Sequence, residues 1–328
     1  MKILAIRFAR LGDIVLLLPA LSSLKSRFPS AHLTFLTDRR YASLPELCPA
    51  IDQVIGVDRI AMRDRSPLRA LGNMTRLVRD LRRQRYDLLI DFHSFRETNI
   101  LAWFSGAQRR LAMKRHNGSY LPFCFNLPPV LEDKQLHVSE MFMRVVQRLG
   151  GSSVHSPSLV VPDGLRQWAE LRAPQGRRLA LYIDAPVTDR IWPPEKFAML
   201  ADHAISRFGA NVLVISGPAG QDLARKVQHA SQNSERLTVI TNVTIPELAA
   251  VVASARLFVS NDTGPMHLGP ALSVPTLGLF SVGFPEHFQP IGPAGRFLRA
   301  NPIQAIEVGT VAAVAGEMWA NADRDLLR

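Results

Sequence analysis

Ser260-Asn261-Asp262-Thr263-Gly264-Pro265-Met266-His267-Leu268-Gly269 is followed at once by the apolar run Val274-Pro275-Thr276-Leu277-Gly278-Leu279-Phe280. Leu257-Phe258-Val259 ahead of it reads as the end of a buried strand, Asn-Asp-Thr-Gly as a sharp turn, and Met266–Leu272 as a helix opened by Pro265 in its first turn. A strand, a turn and a helix in that order point backbone N–H groups, a hydroxyl and an imidazole at one spot, which suits a phosphate. An ordinary strand-to-helix turn capped by Asp262 or Thr263 accounts for Asp-Thr-Gly alone. His267, one turn further on, and the strand that follows directly favour a site.

Working outward, the same alternation fills the chain. In the second half, strands are expected at 179–183, 212–216, 237–241, 257–260 and 276–280. In the first half they are expected at 2–8, 32–36, 53–57, 87–91 and 109–113, with helical segments between. Strand–helix alternation of this kind predicts α/β architecture with mostly parallel, doubly wound sheets. Gly150-Gly151-Ser152-Ser153 and Ser156-Pro157 read as a linker, dividing the chain into residues 1–155 and 156–328.

In open α/β sheets ligands bind at the carboxyl ends of the strands, so the loops there hold the candidates. Gly12 allows close backbone approach after the first strand, and Asp13 stands at the start of the next helix, where its commonplace role is a cap. His93 and Arg96 leave the fourth strand toward the same crevice. In the second half, the loop containing Thr188 and Arg190 follows one strand. Gly217-Pro218-Ala219-Gly220-Gln221-Asp222 follows the next and places Asp222 where a ribose hydroxyl can be bound. Neither a full G-x-G-x-x-G spacing nor a Walker lysine is present, which weighs against dehydrogenase and P-loop readings.

Hydrophobic residues make up 47% of the chain and charged residues 20%, the balance of a folded globular protein rather than a disordered one. Arg7 and Arg10 interrupt any signal-peptide core, no apolar stretch is long enough to span a bilayer, and Cys48 and Cys124 form neither a disulfide framework nor a zinc spacing. A reducing cytoplasm is the expected home. The entire surplus of +11 falls in residues 1–155, while residues 156–328 balance. One half therefore suits a polyanion: nucleic acid, an anionic membrane surface or an acidic substrate. A solvated basic surface is the plain alternative. Its densest part is Arg59, Arg63, Arg65, Arg69, Arg76, Arg79, Arg82, Arg83 and Arg85. There Leu68, Leu71, Met74, Val78 and Leu81 recur at helical spacing, and Arg69, Arg76 and Arg83 fall on the opposite face. The stripe lacks the interleaved aromatics that single-stranded nucleic acid favours.

Arg-x-x-x-Leu-Gly-Asp-x-Val-x-x-x-Pro-Ala-Leu (Arg7 to Leu21), Arg-x-Trp-Pro (Arg190 to Pro193) and Asn-Asp-Thr-Gly-Pro-Met-His-Leu (Asn261 to Leu268) together resemble glycosyltransferase family 9. That family contains the ADP-heptose:lipopolysaccharide heptosyltransferases. The resemblance implies a GT-B fold, two Rossmann-like domains facing each other across a cleft, with the acceptor held mainly by the first and the nucleotide sugar by the second. It also implies inversion at the anomeric carbon, no metal ion and no cofactor beyond the nucleotide-sugar substrate. Carried over by position, Asp13 matches the general base. Arg190 matches a lysine on the donor diphosphate, and Asp262, Thr263, Gly264 and His267 match the donor pocket. Asp222 falls near the ribose-binding acid and Val243 near an adenine contact; Thr188 belongs to the diphosphate loop, and Gly12, His93 and Arg96 to the acceptor side.

Two departures stand out. Asp184 occupies a loop where the family has small residues, and an inward carboxylate there would repel a diphosphate. Arginine replaces lysine at 190, turning a point donor into a planar fork. The expected partners are a nucleotide sugar and an anionic lipopolysaccharide-core acceptor, with peripheral contact at the cytoplasmic face of the inner membrane and no nucleic acid. The same fold with another donor or acceptor is the near alternative, and a nucleotide-sensing or nucleic-acid-binding protein the distant one.

Overall fold

The computed structural model describes residues 1–58, 67–117, 119–152 and 158–325. Arg59, Arg63 and Arg65 lie outside the described residues, as do the side chain of Arg69 and the linker residues Ser153, Ser156 and Pro157. The chain forms two compact units, residues 1–159 and 160–328.

Unit 1 is built on a parallel six-stranded sheet of order β3-β2-β1-β4-β5-β6. Its strands are β1 (Lys2–Ile6), β2 (His32–Asp38), β3 (Gln53–Val57), β4 (Leu88–Asp91), β5 (Arg109–Lys114) and β6 (Val130–Leu131). β1 and β4 are covered on both faces, so they read as unbroken apolar runs. Four helices accompany them: α1 (Leu11–Arg27), α2 (Pro67–Gln84), α3 (Arg96–Phe104) and α4 (Val138–Gln147). α1 packs along α4, which buries Met141, Phe142, Val145 and Val146. On the core formed with Leu4, Ile6 and Leu89 sit Leu81 of α2 and Leu101 of α3. The segment Gly150–Ser152 is no loose linker: a Cβ on Gly151 would strike Val146 and Ser23, and Ser23 Oγ donates to the Ser152 carbonyl.

Unit 2 repeats the plan with the order β12-β11-β10-β7-β8-β9, again all parallel. The strands are β7 (Arg178–Tyr182), β8 (Asn211–Ile215), β9 (Leu237–Ile240), β10 (Leu257–Asn261), β11 (Thr276–Phe280) and β12 (Gly295–Arg299). Its helices are α5 (Asp163–Glu170), α6 (Pro194–Phe208), α7 (Gln221–Ala230), α8 (Ile245–Ala253), α9 (Leu268–Ala271), α10 (Pro285–Phe288) and α11 (Val308–Asp325). α11 belongs to this unit: Val311, Ala315, Met318 and Trp319 are buried in its core, and Trp319 stacks on Phe208 of α6 at 5.4 Å.

The single helix expected over 266–272 is instead a 3₁₀ turn, Gly264–His267, followed by the one-turn α9. Pro265 and Pro270 remove two N–H donors from a short run. Gly269 packs so closely on Thr276 and Phe258 that a side chain there has no room. A turn this short carries little dipole, so what it offers an anion is individual N–H groups.

Candidate active site

Each sheet changes direction once. In unit 1, β1 leads by way of α1 to β2 on one side, while β4 lies on the other. In unit 2, β7 leads to β8 on one side and β10 lies on the other. The crevice at such a switch point is where open α/β sheets bind ligands. Most of the predicted residues follow the strands at these two places, while Asp222 and Val243 follow strands further along the second sheet.

At the first, Arg7 follows β1 and is buried. Its Nη1 donates to the Phe92 carbonyl at 2.8 Å and its Nη2 to Asp13 Oδ1 at 2.9 Å. Burial pulls the Arg7 guanidinium below its usual pKa, and the charge of Asp13 works against that. Asp13 lies in the first turn of α1 but does not cap it, since the cap position is Arg10 and no side chain serves it. Its carboxylate keeps about a third of its surface open (30%), so it is oriented by Arg7 yet accessible. Gly12, beside it, is buried.

His93 sits on the floor of this crevice, 5% exposed, edge-on to Phe8 at 5.8 Å and tilted against Phe95 at 4.5 Å. The turn that carries it is fixed by Asp91. Oδ1 of Asp91 accepts from the His93 and Ser94 amides at 2.9 and 2.8 Å, and Oδ2 accepts from Asn99 Nδ2 at 3.0 Å. Burial raises the Asp91 pKa against those hydrogen bonds. Arg96 opens α3 and is exposed, so of the acceptor-side candidates it is the one that reaches solvent.

At the second switch point, Asn261 ties two loops together. Its Oδ1 accepts from the Trp192 amide at 3.1 Å and its Nδ2 donates to the Ile183 carbonyl at 2.9 Å. Trp192 is wholly buried and donates Nε1 to the Ile306 carbonyl at 3.0 Å. This anchoring presents Arg190, whose Nη1 lies 3.1 Å from Asp262 Oδ2. Arg190 keeps 35% of its side chain exposed, and its buried Nε has no hydrogen-bond partner among the described residues. Burial raises the Asp262 carboxyl pKa and the nearby guanidinium partly offsets the rise. Neither Thr263 nor Asp262 caps the turn behind them: Thr263 precedes it with no side-chain hydrogen bond, and Asp262 pairs with Arg190. Thr263 and Gly264 are half-buried, His267 is buried, and Thr188 is exposed on the short turn leading to Arg190.

Further along the same edge, the Gly217–Gly220 turn follows β8, and Val243, half-buried, follows β9. Asp222 is largely exposed and pairs with Arg225 one turn on. Asp184, one of the two sequence departures, turns its carboxylate toward the glycine loop. A Cβ on Gly220 would lie 2.8 Å from Asp184 Oδ2, and one on Gly217 3.1 Å from it. Tyr182 lies beside the same loop, and burial, with the Asp184 charge, pushes its hydroxyl up to about 12.

Sequence reasoning missed Arg7 as the partner of Asp13, and Asn261 with Trp192 as the anchor of the Arg190 loop. A signal for Arg7 existed in an arginine at the end of a buried strand, where an unpaired cation is costly. Among the described residues no three His, Cys, Asp or Glu side chains cluster as a metal site, and no helix is long and apolar enough to cross a membrane.

Over 278 residues the chain is 24% identical to lipopolysaccharide heptosyltransferase 3 of Escherichia coli, covering 82% of this chain and 80% of that one. The fold matches the glycosyl transferase family 9 protein of Veillonella parvula with a TM-score of 0.86 at 22% identity, over 98% of this chain and 97% of that one. It matches an E. coli heptosyltransferase solved with ADP with a TM-score of 0.80 at 19% identity, over 97% and 100% of the two chains. The two sheets are therefore the two Rossmann-like domains of a GT-B glycosyltransferase fold. The profile of glycosyltransferase family 9 (heptosyltransferase) matches residues 74–311. This chain is a glycosyltransferase and belongs to that family.

Proposed function

We propose that the protein transfers a heptose from ADP-heptose to an inner-core lipopolysaccharide acceptor, inverting the anomeric centre, with no metal ion and no further cofactor. The observation that carries the reading is that each unit, taken by itself, presents at its own switch point groups that such a transfer needs. Unit 1 supplies an accessible carboxylate held by a buried arginine, and unit 2 supplies a cation with an unfilled donor beside a turn of backbone amides. The sugar's bond to the β-phosphate breaks as the acceptor oxygen forms the new glycosidic bond. Negative charge gathers on the departing ADP, where Arg190, the Thr263 and Gly264 amides and His267 stabilise it. The acceptor hydroxyl gives its proton to Asp13, whose carboxylate Arg7 holds in place.

In this reading Asp262 meets sugar hydroxyls, Thr188 the diphosphate, Asp222 the ribose and Val243 the adenine, while Gly12, His93 and Arg96 shape the acceptor side. A phosphate-rich core also gives the basic surplus of unit 1 a purpose, and such an acceptor is met at the cytoplasmic face of the inner membrane. The near alternative keeps fold and mechanism with a different nucleotide sugar. Thermal-shift titrations with ADP, UDP and GDP separate the two: ADP should stabilise most, and a larger shift with UDP would remove heptose as the sugar. The mass of lipopolysaccharide from a strain lacking the gene tests the acceptor, which should be short of heptose.

A further inference from the structure

The side of unit 1 that carries α2 and α3 holds a groove of about 800 Å³ whose lining includes none of the residues given a role in the transfer. Its floor is apolar, formed by Met74 and Val78 of α2 and by Ile100, Leu101 and Phe104 of α3. Arg79, Arg82, Arg83 and Arg85 also line it, all of them exposed, against one acidic side chain, Glu97. Asp80 approaches Arg79 and Arg83 only to 4.0 Å, a distance that leaves their donors available to stronger acceptors. The sequence placed Arg76 and Arg83 on an outer stripe of α2. In the structure Arg83 joins Arg79, Arg82 and Arg85 around an apolar channel, while Arg76 is exposed and outside its lining.

The apolar surface continues outside the groove. Ile100 (40% exposed), Trp103 (47%) and Phe104 (48%) share one open face of α3, and Phe123 (62%) packs edge-on against Trp103 at 5.9 Å. Arg110 lies over the Trp103 ring at 5.4 Å. Large aromatic and aliphatic groups in contact with water, ringed by arginines, are uncommon on a protein that meets only solvent.

We infer that this face docks the protein on a bilayer of anionic phospholipid, the Arg79–Arg85 rim binding phosphate headgroups while the α2–α3 floor and Trp103 enter the acyl boundary. Charge complementarity selects the lipid: guanidinium groups are attracted to the negative surface of such a membrane, and tryptophan favours the headgroup level. A nucleic acid would match the rim but leave an aliphatic floor with no base-stacking role. A second copy of the chain would set arginine rim against arginine rim. The inference rests on the proposed function only in taking a membrane as the place where the acceptor is met.

The test uses the full chain without substrates. Flotation with vesicles of phosphatidylethanolamine and phosphatidylglycerol should carry the protein, and vesicles of phosphatidylcholine should not. Arg79→Glu with Arg83→Glu should weaken partitioning by about tenfold or more. Ile100→Ser should reduce it at equal net charge, and circular dichroism confirms that each variant is folded. Brominated lipids should quench tryptophan emission in the wild type and not in Trp103→Phe. Equal binding by wild type and variants, no binding to anionic vesicles, or loss of a dimer rather than of vesicle binding would each overturn the inference. Transfer to a detergent-solubilised acceptor should survive in the rim variants. If transfer persists while vesicle binding fails in the wild type, the docking face is wrong and the transfer reading stands; the converse result separates them the other way.

Discussion

Arg7 and Asp13 are joined at 2.9 Å, with the arginine buried and the aspartate open to solvent. In the proposed mechanism this geometry makes Arg7 a positioning group. Its other terminal nitrogen is fixed on the Phe92 carbonyl, so the carboxylate is tethered to the segments that follow β1 and β4. Arg7→Lys keeps the charge but loses the fork. The turnover rate should fall by about tenfold while the Kd for ADP, measured by calorimetry, stays unchanged. An equal loss in both would mean that Arg7 merely holds up the fold.

In the proposed reading Arg190 is the donor-side cation. Losing a charge-assisted hydrogen bond to phosphate costs roughly 1.5–3 kcal/mol, so Arg190→Ala should weaken ADP binding by about 10- to 100-fold. Arg190→Lys should lose less than about tenfold, since a point charge remains. Unchanged ADP affinity in Arg190→Ala would place the diphosphate elsewhere.

Asn261→Ala removes one side chain and leaves two buried backbone groups, the Trp192 amide and the Ile183 carbonyl, without their partner. The expected cost is about 2–4 kcal/mol by urea denaturation. ADP affinity should fall with it, because the Trp192 anchor sets the position of Arg190. A stability loss below about 0.5 kcal/mol would show that water replaces the amide at no cost.

Asp262 gives a pH prediction. Burial raises its pKa in the folded chain above that of the unfolded chain, so the folded state holds a proton that the unfolded state has released. The stability linked to that proton is fully present in acid and is lost as pH rises through the folded pKa, above the ordinary carboxylate range. Asp262→Asn does not titrate. Its melting temperature relative to wild type should therefore climb as pH is raised from about 4 toward neutral. A flat difference across that range would contradict the assignment.

Much of this organisation is legible in the sequence, and the parts that are not share a cause. β1, β4, β7 and β10 are buried on both faces and announce themselves as apolar runs. β12, Gly295–Arg299, is an edge strand with a half-exposed pattern, and β6 has two residues; neither carries a period to read. Strand ends locate the loops, so Asp13, His93, Arg190 and Asp262 were found where the sheet places them. Long-range partners were not: Asn261 meets Trp192 across 69 residues, and no local pattern encodes that bond. The helix expected after Pro265 failed because Pro270 and the tight packing of Gly269 outweigh the apolar spacing around them.

The Asp184 carboxylate also makes a glycine necessary. Gly220→Ala should cost about 1–3 kcal/mol, since the new methyl would lie 2.8 Å from both Asp184 Oδ2 and Ser216 Cβ. Denaturation of Gly220→Ala with and without Asp184→Ala checks the source of the strain. Partial recovery in the double variant is expected, and none would assign the whole clash to Ser216.

The central claim is that Asp13 takes the acceptor proton and has no part in holding the donor. Asp13→Asn keeps the shape and an oxygen for Arg7 but cannot accept a proton. Rapid-quench single-turnover transfer from ADP-heptose to core acceptor, run beside an ADP titration, measures both at once. The rate should drop by about 10²- to 10⁴-fold, with ADP affinity unchanged; a rate close to wild type would contradict the mechanism.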